Sequence, residues 1–244
     1  DADIVWVGGG ETDIRGNTSH GDGLWKTTDA GRTWTYMGLK ETRHIGRIAI
    51  HPRNPEIVYV AAVGWHFSNG PDRGLYRTAD GGKTWSKVLF KGDHVGVVDV
   101  VINPAKPSTV FAVTYDKQRI PWNFDEGGPE TGIYKSTDDG KTWRKLAGGL
   151  PTGELGRSGL VIYPKNPAIM YAVIDNLNPR PPAPAAPGQP APGGPPQAGP
   201  RPQAARPIGG EVYRSENGGD TWTKMNAPGE SIGGGKWYGW IYVD

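Results

Sequence analysis

The sequence predicts an all-β chain, a β-propeller of four-stranded antiparallel blades with four blades present, and three observations predict it. An octet of pattern Ser/Thr-x-Asp/Asn-x-Gly-x-Thr-Trp occurs four times. A strand-turn-strand unit recurs ahead of it, and the 244 residues include 38 Gly and 23 Pro, which suit tight turns better than helices. Repetition of this kind sets the architecture before any single residue is weighed.

The octets run over 27–34, 78–85, 136–143 and 215–222. Thr27, Asp29, Gly31 and Trp34 recur as Thr78, Asp80, Gly82 and Trp85, as Ser136, Asp138, Gly140 and Trp143, and as Ser215, Asn217, Gly219 and Trp222. A short hydroxyl followed by a carboxylate can accept the backbone N–H groups of a turn, and Gly supplies positive φ. Thr-Trp then resumes a strand. Asn217 keeps the acceptor oxygen without the charge, so the octet reads as structural. Each Trp is expected inside, where burying ~150–250 Å² at ~25 cal/mol per Å² is worth roughly 4–6 kcal/mol before entropy.

A proline-turn unit precedes the later octets, at 45–60, 95–113 and 155–173, and supplies strands A and B. Strand C is the short run before each octet, such as Gly74-Leu75-Tyr76-Arg77, and strand D starts at the Trp. Four strands that repeat fit propeller blades better than an immunoglobulin-like sandwich. Asp3–Val7 aligns with a strand B and 238–244 with a strand A, giving the order B-C-D-A. Either a four-bladed ring closes through these ends, or the blades belong to a larger propeller, which is the expectation here.

Composition excludes several classes. There are 27 basic and 25 acidic residues in mixed order, for a net charge of +2. That gives no electrostatic case for nucleic acid or an anionic membrane. The absence of Cys removes disulfides and thiolate metal sites. No apolar run approaches the ~18 residues of a transmembrane segment, and the opening Asp1-Ala2-Asp3, which enters a strand at once without a signal peptide, is expected to be a processed or cut start.

Strand alternation puts the A–B turns and octet turns on one face, and the B–C and D–A loops on the other. Length varies almost wholly on the second face, where binding and chemistry are expected. Its ligand-binding candidates are Glu11, Arg15 and His20; Trp65, His66 and Phe67; Tyr115, Arg119, Trp122, Asp125 and Glu126; and Trp237 and Tyr238. Rim aromatics could stack on sugars or anchor a peptide, or could simply bury themselves to order their own loops. His20 and His66 with a carboxylate could in principle hold a metal, but no ligand spacing supports it, and no cofactor is expected. His44 and His94 occupy matching positions and read as a repeated blade feature. Arg47 and Arg157 share a position on strand A, where an inter-blade ion pair is the first expectation.

The stretch from Pro179 to Pro207, with three Arg and no acid, favours polyproline II and interrupts one blade between B and C. A partner chain holding it is one expectation.

The octet resembles the Asp-box of bacterial sialidase-type repeats, found in sialidases, xyloglucan-cleaving glucanases and sortilin-type receptors. The run from Gly21 through Trp25 and His44-Ile45-Gly46-Arg47 to Trp240 resembles large bacterial proteins termed sortilin N-terminal-like or glycosyl-hydrolase-like. The resemblance implies a longer, exported or envelope-associated bacterial protein with seven or more blades, and a box remote from the active face. Sialidases need an arginine cluster and a Tyr/Glu pair, and neither maps here. Glycosidases need two carboxylates at defined separation. Glu11, Asp22, Asp72, Asp125, Glu126 and Glu130 lie on the expected face, and no spacing selects a pair. The leading expectation is a non-catalytic binding or assembly module for protein or polysaccharide. A glycoside hydrolase is the alternative.

Overall fold

The computed structural model describes residues 2–15, 17–181, 206–227, 230–232 and 241–243. Its first sheet holds β1 (Val5–Gly8), β2 (Leu24–Thr27) and β3 (Thr35–Tyr36). The second runs β4 (Ile45–Ile50), β5 (Val58–Ala62), β6 (Gly74–Thr78) and β7 (Ser86–Leu89). The third begins with β8 (Val95–Ile102) and β9 (Val110–Asp116). A separate hairpin follows, β10 (Gln118–Ile120) with β11 (Asn123–Asp125). The sheet is completed by β12 (Gly132–Ser136) and β13 (Arg144–Lys145). The fourth sheet runs β14 (Leu155–Ile162), β15 (Met170–Pro179), β16 (Pro207–Ser215) and β17 (Thr223–Lys224).

Neighbouring strands are antiparallel throughout, and the chain is a β-propeller of four blades entered at a strand B. Strands β15 and β16 reach Pro179 and Pro207, which pair with each other, so the proline-rich insertion leaves from the tip of a ladder. Its residues 182–205 lie outside the described ones, as do 233–240 and 244, which take in 238–240 and 244 of the expected last strand A.

Strands β4, β8 and β14 lie side by side, and between them Arg47 meets Asp99 at 3.3 Å. The other Asp99 oxygen accepts the Leu160 N–H at 3.1 Å, so one buried carboxylate ties three blades. The apolar core is divided among the seams. Trp6, Leu24 and Val60 pack between the first two blades, Tyr59, Leu75 and Ala112 between the second and third, and Phe111, Met170 and Trp222 between the third and fourth.

The octets fold alike. Thr27 Oγ1 accepts the Gly31 N–H, and Asp29 accepts the Thr33 N–H through one oxygen and the Thr33 hydroxyl through the other. The same bonds recur at Asp80 and Asp138. At Asn217 the last bond reverses, with Nδ2 donating to Thr221 Oγ1. The residue before each box Gly and the Gly itself both have positive φ, from 58° and 89° at Ala30-Gly31 to 70° and 96° at Gly81-Gly82. This is the twist that matches a tight hairpin to its strands.

The Trp residues do not share one fate. Trp34 is 41% exposed, Trp85 and Trp143 are half-buried, and Trp222 is 5% exposed. Each box docks on the blade before it. Trp85 sits edge-on to Trp6 and donates to the Met37 carbonyl, and Trp222 joins the third blade's core. Trp34 has no preceding blade among the described residues, which corrects the expectation that all four go inside.

A basic residue near the end of strand C completes each seam. Lys26 donates to Gly81 O, Lys135 to Gly218 O, and Arg77 acts through the Tyr59 hydroxyl, which donates to Asp139 O.

The hydrogen bonds from Thr33 and Thr27 hold the Asp29 carboxyl down to about 2, and Thr142 and Ser136 do the same for Asp138, also to about 2. Asp80 is lowered in the same way by Thr84 and Thr78. Because the folded pKa lies below the unfolded value of 3.8, this stabilisation is present above that value and is lost as pH falls through the folded one. Denaturant midpoints followed from about pH 5 downward are expected to fall less steeply in the triple variant Asp29→Asn, Asp80→Asn, Asp138→Asn. An unchanged slope rejects the account.

Candidate functional site

The loop after β1 crosses from the first blade to the fourth. Ile14 is buried within the cluster that holds Val63, Tyr115 and Leu155, and Arg157 donates to Thr12 O at 2.6 Å and pairs with Asp13 at 3.1 Å. Arg157 is therefore an inter-blade anchor, as Arg47 is. Glu11 and Arg15 form an exposed ion pair at 2.8 Å, which lowers the Glu11 carboxyl.

The same loop is held by the second blade. His66 Nε2 lies 2.9 Å from Glu11 O, and His44 Nδ1 lies 3.0 Å from Gly64 O. A carbonyl can only accept, so both ring nitrogens donate and each partner nitrogen keeps its lone pair. The two rings stack with centroids 3.9 Å apart. Burial first, then the field of nearby cations, pushes His66 down to about 2; burial also pushes His44 down to about 4. Both imidazoles are neutral at neutral pH. No group of three or more His, Cys, Asp or Glu is placed to hold a metal ion among the described residues.

Trp65 heads an aromatic group at the rim. His20 and Phe67 meet its ring edge-on at 5.5 and 5.7 Å, and the Arg43 guanidinium lies 4.8 Å from its centroid. Beside it is an open pocket of about 370 Å³ lined by Glu41, Arg43, Trp65, Asp72 and Arg73 among others. Arg73 is buried and donates to His94 O, Trp65 O and Ser68 O, so it shapes the wall of the pocket. A second hollow, about 770 Å³ and mostly apolar, lies between the third and fourth blades beside Leu146, Pro151 and Asn178.

The β10–β11 hairpin stands on the rim of the third blade. Arg119 covers the Phe124 ring at 5.1 Å, Asp125 accepts from Asn123, and Trp122 at the tip is 83% exposed. Tyr115 and His66 lie in the interior, not on the rim: strand β9 continues to Asp116, past the expected loop start, and the first blade's loop covers His66. Glu126 is half-buried at the base of this loop. Trp237 and Tyr238 lie outside the described residues. Two candidate acids are structural, since Asp22 accepts from Trp25 Nε1 and Glu130 from the Tyr134 hydroxyl. Arg43 and Arg73, which line the pocket, and the buried Lys117 lack any repeated signal.

Sheet order, box geometry and seam packing define the class of Asp-box β-propellers. Within that class, the profile of the Sortilin-Vps10 family, described as sortilin, neurotensin receptor 3, matches residues 22–177, and the chain belongs to this family. It is 32% identical over 167 residues to the xyloglucanase Xgh74A of Acetivibrio thermocellus, which covers 57% of this chain and 18% of that enzyme. A xyloglucanase of Hypocrea jecorina is 28% identical over 150 residues, covering 50% of this chain and 16% of the enzyme. The chain thus spans less than a fifth of these relatives. Among solved structures, the GH74 enzyme of Niastella koreensis superposes with a TM-score of 0.57 at 19% identity, over 92% of this chain and 28% of that one. The GH74 xyloglucanase of Xanthomonas campestris gives 0.56 at 16%, over 93% and 29%. These likenesses show the propeller fold. No helix among the described residues is long and apolar enough to cross a membrane.

Proposed function

We propose that this chain is a polysaccharide-binding propeller module of an exported protein, with the glycan held across the B–C face. One observation carries the reading: Trp122 is 83% exposed at the tip of a hairpin whose other aromatic, Phe124, is engaged with Arg119. A rigid exposed ring on a rim offers a stacking platform for a sugar face. Trp65, braced by Arg43, offers a second platform beside the 370 Å³ pocket. The relatives named xyloglucanase make xyloglucan the first probe.

Titration of the chain with xyloglucan oligosaccharides is expected to show saturable binding, weakened about tenfold by Trp122→Ala, or ~1.4 kcal/mol. Equal affinity for the variant, or no binding by either, sinks the reading. Glycoside hydrolysis is a second reading, favoured by two carboxylates, Glu41 and Asp72, among the residues that line the pocket with Trp65. Release of new reducing ends from xyloglucan separates it from binding alone.

A further inference from the structure

The loop between β1 and β2 crosses the second blade just before β4. Gly10 runs so close to Arg43 O that a Cβ there would overlap it, Gly21 donates to the same carbonyl at 2.7 Å, and Ile45 donates to Gly9 O at 3.1 Å. Beside these contacts His66 Nε2 donates to Glu11 O at 2.9 Å. His44 stacks on that ring with centroids 3.9 Å apart and donates through Nδ1 to Gly64 O at 3.0 Å. A pair of imidazoles therefore helps to hold the first blade's loop on the second blade.

Both histidines are fully buried, and each keeps one ring nitrogen, His44 Nε2 and His66 Nδ1, without a hydrogen-bond partner. A proton there makes a buried N–H with no acceptor and sets an imidazolium against the stacked ring. The surroundings oppose it further. Lys117, after β9, and Arg73, before β6, bear on His66; Lys117, Arg43 and His20 bear on His44, and all are basic. The Glu11 carboxylate also reaches His44, but it is exposed and paired with Arg15 at 2.8 Å. Trp65 lies 5.7 Å from His44 and Phe67 lies 6.5 Å from His66, and neither ring carries a counter-charge.

We propose that the stacked His44–His66 pair is an acid-operated latch: proton uptake by the pair breaks the bond to Glu11 O and frees the loop between β1 and β2 from the second blade, while the sheets stay folded. In the freed loop both rings titrate near the ordinary 6.5, whereas burial in the stack pushes them down to about 4 and about 2. Because the held values lie below the free one, the latch is at full strength above pH 6.5 and weakens as pH falls toward the held values. Each proton taken up raises the opening constant by up to about tenfold per pH unit. The rim beside Trp65 thereby becomes acid-sensitive.

The test is NMR-detected hydrogen exchange at Gly21 and Ile45, whose N–H groups bond across the crossing. After correction for intrinsic rates, their protection is expected to fall at least about tenfold between about pH 7 and about pH 5, while amides of β15 in the fourth blade keep theirs. The double variant His44→Asn, His66→Gln keeps an amide N–H where each donating ring nitrogen stood and takes up no proton, so its protection is expected to stay flat. Histidine ¹⁵N spectra of the unsubstituted chain need no variant: the two ring signals are expected to gain protons only as loop exchange rises. Rings that titrate freely near pH 6.5 while the loop stays protected overturn the latch. So do protection that does not change with pH, a loss shared equally by β15, and a double variant that loses protection as the unsubstituted chain does.

Discussion

Trp222→Ala is expected to lower stability by about 3–5 kcal/mol, and Trp34→Ala by less than about 1 kcal/mol, although both replace the same residue of the same octet. Trp222 is 5% exposed in the third blade's core and donates to Gly219 O at 3.0 Å, so truncation leaves a cavity and an unpaired carbonyl. Trp34 makes the equivalent bond to Gly31 O at 3.1 Å but remains 41% exposed. Denaturant unfolding of the two variants measures the difference. Equal losses show that the hairpin, and not the seam, holds the tryptophan's value.

Gly82→Ala carries the other large effect. A Cβ there would lie 2.6 Å from Trp6 and 2.7 Å from Met37 of the first blade, on a backbone with φ of 96°. At Gly31, with φ of 89°, the nearest atom is Trp34 Cζ2 at 3.7 Å. Both substitutions incur left-handed strain of about 1–2 kcal/mol, and Gly82→Ala adds about 1–3 kcal/mol of overpacking. Matching midpoints for the two variants reject the clash.

The octet was legible because all its bonds close within eight residues: Asp29 or Asn217 announces the turn, and the following Gly its handedness. What a neighbouring blade supplies is not written in the octet. Trp34 and Trp222 read identically until their surroundings are known. Tyr115 and His66 read as rim residues because the polar run after Val113 hides three more strand residues, Thr114 to Asp116, and because nothing in 9–21 announces that this loop crosses the face. The basic residue near the end of strand C, at Lys26, Arg77 and Lys135, stood in every repeat and could have been recognised as a seam contact. Lys117 could not, since Trp65 and Leu177 fill the equivalent places in the neighbouring blades.

The contacts from Lys26, Arg77 and Lys135 all point one way, from one blade to the next box. Such head-to-tail joints couple each blade to its neighbour as in a one-dimensional lattice, and the loop after β1, anchored on Arg157, adds a tie from the first blade to the fourth. Cooperativity then reaches past the neighbouring blade: a fault at one seam loosens the two blades it links, while the Arg157 anchor and the Asp99 tie carry it further. Arg214, the next cation in the series, pairs with Glu216 of its own hairpin at 2.7 Å.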